Sequence, residues 1–313
     1  MNKIATLITA KPNCLRANFV SALAKAFAIV ALTACTQRDL LDEAQRSTPV
    51  TFSVAEIETR AGDTYVTGAE DIPTGKSFGV LGYVGASCTG TPGFLDNVAV
   101  TKTVGGYTYN TRYWPLEDTN LSFAAYYPHN AGSLNTTDAP SITFTVQGTP
   151  ATQVDLMYAA PLEDKSKGSA LSFTFKHALV PITFKAKLSA AGTATITKIE
   201  LTGVANQGTL SLANGTSGTW SGQSTTDTGA PTYTLDGLNV VISSTTTPTD
   251  ISTTTPTDIS TDEDDILLMI PQTLGSTAKI TVTYTQGGAD KFKEYNITGE
   301  WKANTPVSYT FII

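Results

Sequence analysis

An all-β fold, laid out as two tandem antiparallel β-sandwich domains behind an export signal, is predicted by three features of the sequence. The first is a long series of short segments in which apolar and polar residues alternate, separated by Gly, Pro, Asn and Asp and rich in Thr. The second is that no window beyond the first 34 residues carries a convincing 3.6-residue apolar period. The third is a polar stretch without strand pattern, Pro161 to Gly168, which divides the remainder into halves of ordinary domain size.

The first 34 of the 313 residues read as a signal peptide. Lys3, Lys11 and Arg16 form a basic region, and Ala26 to Ala34 a short apolar core ending in small residues. Lys25 interrupts the longer apolar run, and no other run approaches the ~20 residues that span a bilayer. Leu32-Thr33-Ala34-Cys35 fits a bacterial lipobox, in which the thiol of Cys35 is acylated and the cysteine becomes the new N-terminus. Buried methylenes of the acyl chains then supply the membrane affinity. A polar tether from Thr36 to Pro49 follows, without hydrophobic period. It leads into a strand, Val50–Ile57, in which Val50, Phe52 and Val54 alternate with Thr51, Ser53 and Ala55. Arg46 precedes this strand and Arg60 closes it. The organisation expected is a signal peptide at 1–34, a lipidated tether with a removable first strand at 35–60, and sandwich domains at 61–168 and 169–313.

Further strands are expected at Ser77–Val84, Val98–Val104, Tyr107–Tyr113, Leu121–Tyr127, Ile142–Val146 and Val154–Ala159. The second half supplies Leu171–Leu179, Ile182–Leu188, Ala194–Leu201, Leu238–Ile242, Ile266–Ile270, Lys279–Tyr284, Phe292–Ile297 and Pro306–Ile313. The octapeptide TTTPTDIS occupies 245–252 and recurs unchanged at 253–260, ahead of an acidic run ending at Asp265. Its prolines and small polar residues predict an exposed, mobile hairpin loop between Leu238–Ile242 and Ile266–Ile270.

Composition narrows the function. Four of the 20 basic residues and none of the acidic ones lie in the signal, so the exported chain carries 16 basic against 27 acidic residues, a net charge of −11. A body this acidic has no electrostatic footprint for nucleic acid. Of three cysteines, Cys14 leaves with the signal and Cys35 carries lipid. Cys88 is left alone in a Gly-rich turn, so no intrachain disulfide forms and stability rests on core burial. The chain has two histidines, His129 at a strand end and His177 in a strand, and no nucleophile elbow. A hydrogen-bonded structural role is expected for both. Gly75-Lys76-Ser77 lacks the upstream glycine and following helix of a phosphate loop, because position 70 is Glu70. The acidic run at 262–265 lacks the alternating ligands and central glycine of a calcium loop. No catalytic, cofactor or metal site is expected. Tyr107, Tyr109, Tyr113 and Trp114 could stack sugars if exposed, but alternating aromatics in a strand more often face a core.

Several blocks in order resemble the fimbrillin family of lipoprotein pilins from gut and oral Gram-negative anaerobes. Tyr113-Trp114-Pro115, then Leu121 to Pro128 (LSFAAYYP), are similar to the family's N-terminal domain, and Val154 to Ala159 to its next block. Phe173-x-Phe175-x-His177-Ala178-Leu179 with Ile182-Thr183-Phe184 resembles the start of the C-terminal domain. Leu267 to Gln272 and Trp301 to Phe311 resemble its last strands, although Lys302 to Val307 holds no glycine where a turn is expected. The resemblance implies transthyretin-like sandwich domains in a surface-exposed fimbrial subunit, anchored in the outer membrane through lipid on Cys35. It also implies an arginine-specific protease that removes the lipid and first strand, and a neighbouring subunit whose strand fills the groove. Arg60 is the expected cleavage site, with Arg46 the alternative that would release lipid and leave the groove filled. The tail strand, in which Val307, Tyr309, Phe311 and Ile313 alternate with Ser308, Thr310 and Ile312, is the expected donor. Its deletion is expected to leave the subunit folded and to stop polymerisation. The partners expected are other fimbrial subunits and a host glycan or protein ligand. An anchor or tip adhesin, or a glycan-binding surface lipoprotein, is the alternative role.

Overall fold

A computed structural model describes residues 48–58, 71–115, 120–164, 169–213, 218–224, 232–244, 255–260 and 265–313. Cys35, Arg46 and Arg60 lie outside these described residues. The first half contributes β1 (Phe52–Ile57), β2 (Ser77–Val84), β3 (Leu95–Thr103), β4 (Gly106–Thr108), β5 (Leu121–Tyr127), β6 (Ser133–Asn135), β7 (Ser141–Thr145) and β8 (Met157–Asp164). The second contributes β9 (Leu171–His177), β10 (Val180–Lys187), β11 (Gly192–Thr202), β12 (Gln207–Ser211), β13 (Trp220–Ser224), β14 (Tyr233–Ser244) and β15 (Thr257–Asp258). It ends with β16 (Leu267–Met269), β17 (Gln272–Thr273), β18 (Lys279–Gln286), β19 (Ala289–Asn296), β20 (Glu300–Trp301) and β21 (Val307–Ile312). Among the described residues the only helical element is a 3₁₀ turn at Pro150–Thr152. The chain is all-β, as its alternating segments predict.

A seven-stranded sheet, ordered β1-β9-β8-β5-β2-β3-β4, dominates the first half. Its central strands β2 and β5 are buried along nearly their whole length, as expected of strands covered on both faces. One face packs Phe78, Val80, Phe123, Ala125, Phe173 and Phe175 with Val50 and with Phe52 and Ile57 of β1. The other face sends Leu81, Tyr83, Ala124 and Tyr126 into a larger core shared with the second half. Gly79 is required by this double packing, because a Cβ there would lie 2.5 Å from the Tyr126 ring.

In the second half, β14-β11-β18-β19 form an antiparallel sheet whose inward residues Ile196, Ile199, Leu201, Ile280 and Val282 enter the shared core. Strand β10 lies at the centre of another sheet, with β15 and β16 along one edge and β21 along the other. A four-stranded sheet, β13-β12-β7-β6, joins the halves, pairing Thr209 with Thr143 and Leu210 with Ile142.

Several expectations need correction. Pairing is not uniformly antiparallel, because β1 runs parallel to β9 and β21 runs parallel to β10. The stretch from Pro161 is not strandless: β8 continues to Asp164, and Leu121 and Ser122 of β5 pair with Asp164 and Glu163. A boundary at 168/169 falls between β8 and β9, which are neighbours pairing Met157 with His177 and Ala159 with Phe175. The segment expected as one strand from Tyr107 to Tyr113 is a strand only over Gly106–Thr108. The second TTTPTDIS copy is not wholly a solvated loop, since Ile259 is 0% and Ser260 1% exposed. The glycine missing between Trp301 and Tyr309 is replaced by Asn304, whose φ of 56° supplies the left-handed residue of the turn.

Candidate strand-exchange edges

The first candidate site is the seat of β1. Strict alternation places Ile57 on the outer face with Thr51, Ser53 and Ala55. A bulge between Val54 and Glu56 adds one residue to β1 and turns Ile57 inward, where it is buried. The parallel register is Phe52↔Leu171, Ser53↔Ser172, Val54↔Phe173, Glu56↔Thr174 and Ile57↔Phe175. Leu171 N donates to Thr51 O and Glu58 N to Phe175 O, both at 2.8 Å. Toward its other side, Val50 N donates to Arg112 O at 2.8 Å, Tyr109 OH donates to Val50 O at 2.8 Å, and Pro49 bridges to Tyr113. Phe52 fills the seat, stacked on Phe173 at 5.9 Å, tilted against Tyr109 at 5.1 Å and edge-on to Phe123 at 6.0 Å. A buried phenylalanine contributes ~2–3 kcal/mol of apolar transfer, with ~1 kcal/mol more from its ring pairs. Beyond the strand, Glu58 pairs with Lys176 at 3.0 Å. Arg60 follows two residues later.

The second is the seat of the tail. β21 runs along β10 in parallel register from Ile182↔Val307 to Lys187↔Ile312. Phe311 is 2% exposed, stacked on Phe184 at 5.8 Å and packed against Tyr295 at 5.1 Å. Trp301 Nε1 donates to Tyr309 OH at 3.0 Å. Ile313 N donates to Lys187 O at 2.9 Å, while Ser189 donates to Ile313 O through N at 2.7 Å and through Oγ at 2.9 Å. Val307 and Tyr309 are half-buried against the same core, and Ile313 is buried. The tail is therefore an integral strand of its own subunit, which changes what its deletion does.

Where the described chain resumes after the arginine, Asp71 forms a small polar cluster. Lys102 Nζ and Tyr107 OH donate to its carboxylate, Ile72 N donates to Oδ1 at 2.8 Å, and Ile72 itself is 1% exposed in the core. Desolvation raises the Asp71 pKa, but the bonds from Lys102, Tyr107 and Ile72 outweigh it and hold the group below its ordinary value of 3.8. A depressed carboxylate stabilises above its unfolded pKa, and that contribution is lost as pH falls through the folded one. Asp71→Asn should therefore lower stability by about 1 kcal/mol at pH 7, a small figure because the carboxylate is partly exposed. Urea titrations of the two proteins should converge as the pH drops below 3.8. The sequence carries no signal for this cluster, because its members lie 31 and 36 residues apart.

Both histidines and Cys88 sit in hydrogen-bonded or packed surroundings. His177 is 4% exposed and its Nδ1 lies 2.7 Å from Asp155 Oδ2. His129 follows β5, with Nε2 3.1 Å from Asn97 O. Cys88 is buried, and burial pushes its thiol pKa up to about 12, which leaves it un-ionised and unreactive at neutral pH. Tyr107 packs edge-on against Phe78, Tyr109 tilts against Phe52, and Trp114 is buried edge-on to Phe123. Of the four candidate sugar-stacking rings, Tyr113 is the one left open, at 52% exposure.

Comparison with known proteins agrees with this architecture. The chain is 25% identical to the fimbrium subunit Fim1C of Phocaeicola vulgatus over 215 residues, 59% of this chain and 56% of that protein. It thus spans little more than half the length of this curated relative. The crystal structure of a candidate cell adhesion protein from Bacteroides uniformis matches 85% of this chain and 94% of its own, with 19% identity and a TM-score of 0.51. A candidate cell adhesion protein from Bacteroides ovatus matches 84% of this chain and 91% of its own, with 15% identity and a TM-score of 0.49. The model of the fimbrillin-like family matches residues 59–313, from two residues past the end of β1 through the tail strand. This chain belongs to the fimbrillin-like family.

Proposed function

We propose that this chain is a structural subunit of a cell-surface fimbria, carried to the outer membrane as a lipoprotein acylated on Cys35 and polymerised by protease-triggered strand exchange. In this reading an arginine-specific protease cuts at Arg60, β1 leaves, and the tail of a neighbouring subunit (Val307, Tyr309, Phe311 and Ile313) enters its seat. The seat formed by β9 with Tyr109 and Phe123 then acts as acceptor and the tail of the 169–313 half as donor. The observation that carries the reading is that β1 and β21 are both edge strands running parallel to their partners with aromatic residues buried. A tail entering the β1 seat keeps the same strand direction and the same kind of aromatic contact. Withdrawing β1 leaves the backbone of β9 and of Arg112 unpaired beside Tyr109, Phe123 and Phe173, an edge that recruits another strand. Cutting at Arg46 instead would shed the lipid and keep the seat filled, whereas an anchor subunit would keep its lipid on Cys35. A glycan-binding surface role has less support, because Tyr107, Tyr109 and Trp114 face the protein core.

The test locks the tail in place. Thr183 and Ser308 are paired across β10 and β21. A Thr183→Cys, Ser308→Cys variant, oxidised, should fold, be trimmed at arginine and form no ladder of higher oligomers, and reduction should restore the ladder. Normal polymerisation of the oxidised protein would reject the tail as donor. N-terminal sequencing of assembled subunits should find Ala61, whereas a start at Ser47 would place the cut at Arg46.

A further inference from the structure

Strand β1 and the tail carry the same short sequence. Thr48-Pro49-Val50-Thr51-Phe52-Ser53-Val54 recurs as Thr305-Pro306-Val307-Ser308-Tyr309-Thr310-Phe311. Thr-Pro-Val is identical in both, and each later position keeps its class: a hydroxyl residue, an aromatic, a second hydroxyl residue and an apolar side chain. The two segments also take the same role in the fold, an edge strand running parallel to its neighbour. Alternation alone leaves an exchanged strand free to slip by two residues, because such a slip keeps every side chain on its face. The shared sequence removes that freedom, since one alignment superposes the prolines, the hydroxyls and the aromatics together.

Carried onto β9, that alignment places Tyr309 at Phe52 opposite Leu171, Thr310 at Ser53 opposite Ser172, and Phe311 at Val54 opposite Phe173. β1 then spends one extra residue on its bulge between Val54 and Glu56. The tail pairs from Val307 to Ile312 in its own seat without a bulge. Continued in the same regular way along β9, Ile312 falls opposite Thr174 and Ile313 opposite Phe175, the rung that Ile57 holds. The aromatic entering the pocket between Tyr109, Phe123 and Phe173 is thus Tyr309 and not Phe311.

Side-chain chemistry favours this register. Ser53 Oγ donates to Ser172 Oγ at 3.0 Å, a bond that the hydroxyl of Thr310 can repeat. Val54 is half-buried at the rim of the core, so the larger Phe311 gains apolar contact there. A buried tyrosine hydroxyl needs a partner. In its own seat Tyr309 accepts from Trp301 Nε1, and the receiving core holds another buried indole, Trp114, whose Nε1 has no partner among the described residues. A slip of two residues in one direction puts Val307 in the aromatic pocket. The opposite slip sets Ile312 against Ser172 and leaves nothing from the tail on the rung of Ile57.

We propose that β1 is an internal copy of the tail, and that a neighbour's tail enters the β1 seat in the single register that sets Pro306 on Pro49 and Tyr309 on Phe52. This register rests on the strand exchange proposed above and adds to it the residues that fix the fit: Tyr309 in the aromatic pocket, Thr310 on Ser172 and Ile313 on the rung of Ile57.

Disulfide trapping between two proteins tests it. Subunits carrying Ser172→Cys are mixed with subunits carrying Ser308→Cys, Thr310→Cys or Ile312→Cys, trimmed at arginine, allowed to assemble and oxidised. The four positions are exposed or half-buried, so the variants should fold, and Cys88 is buried away from the exchange. Residues two apart on one strand lie about 7 Å from each other along the chain, which with the spacing between strands exceeds a disulfide's reach. Thr310→Cys should therefore yield a covalent dimer at about tenfold or more the level of the other two. A dimer through Ser308→Cys or Ile312→Cys instead overturns the register and leaves strand exchange standing. A ladder without a cross-link from any of the three overturns both the register and the tail as donor. If no ladder forms, the polymerisation reading fails by itself, and synthetic peptides of residues 305–313 with the same three substitutions decide the register. Incubated in excess with the trimmed Ser172→Cys subunit and read by intact mass, the Thr310→Cys peptide should give the adduct. Equal adducts from all three peptides, or none from the Thr310→Cys peptide, would overturn the register.

Discussion

Truncation after Pro306 should destabilise the free subunit by more than about 5 kcal/mol, enough to open the second half of the chain. Phe311 alone is worth ~3–5 kcal/mol by the usual cost of removing a buried phenylalanine, because its stacking partner Phe184 and its neighbour Tyr295 would face a cavity. The truncation also removes buried Ile313 and six rungs of the β10 ladder. A domain of this size commonly has 5–15 kcal/mol in total, so the loss is comparable to the whole. The expectation from the sequence is the opposite, a folded subunit that cannot polymerise, because the tail is there assigned to the groove of a neighbouring subunit. Urea unfolding followed by tyrosine and tryptophan fluorescence decides between them. The truncated protein should show a collapsed midpoint, and a synthetic peptide spanning Val307–Ile313 should restore it in proportion to its concentration. Ser308→Ala and Thr310→Ala, on the exposed side of β21, should stay within ~0.5 kcal/mol of wild type. An unchanged midpoint after truncation would mean that the β10 edge is stable without a partner.

How much of this was legible in the sequence depends on which physical signal each element carries. Leu121–Tyr127 and Ser77–Val84 are read to the residue, because central strands buried on both faces leave a continuous apolar run between turns. β12 and β13, reading QGTLS and WSGQS, escape detection because polar and glycine residues hide the alternation. β12 gains its order from pairing with β7, more than 60 residues away, and β13 from pairing with β12. Asp164 at the end of β8 escapes for a similar reason: a polar residue joins a strand when the neighbouring ladder, here Leu121, holds it there. Alternation also says which face a side chain takes and nothing about the direction of the partner strand. The parallel pairings of β1 and β21 were therefore invisible. At the candidate site, Phe52 and Phe311 could be named from their own segments. The rings that receive them could not, because Tyr109, Phe123 and Phe173 meet Phe52 only through tertiary contact. Asn304 shows the opposite case, in which the expected turn exists and a residue other than glycine supplies it.

Phe52→Ala should cost the uncut subunit about 3–5 kcal/mol and, once the chain is cut, should release β1 far faster than wild type. In the intact chain β1 is covalently tethered, so the lost contacts with Tyr109, Phe123 and Phe173 appear as reduced stability. After arginine-specific cleavage beyond Glu58, the same contacts become a binding energy between two separate chains. A loss of ~3 kcal/mol then corresponds to a fall of roughly 150-fold in retention of the fragment. If β1 is a placeholder for a neighbour's tail, Phe52→Ala should shorten the lag before higher oligomers form, even though it weakens the uncut protein. Intact-mass measurement of the cut subunit should find the wild-type fragment still bound when the variant's has gone. Glu58→Gln removes only the partly exposed pair with Lys176 and should change retention by less than about fivefold. Equal loss of β1 from both proteins would mean that the backbone pairing with β9, and not the aromatic seat, holds the strand. A faster release with no change in the onset of oligomers would separate the seat from polymerisation, and the first strand would then be a structural part of the subunit and nothing more.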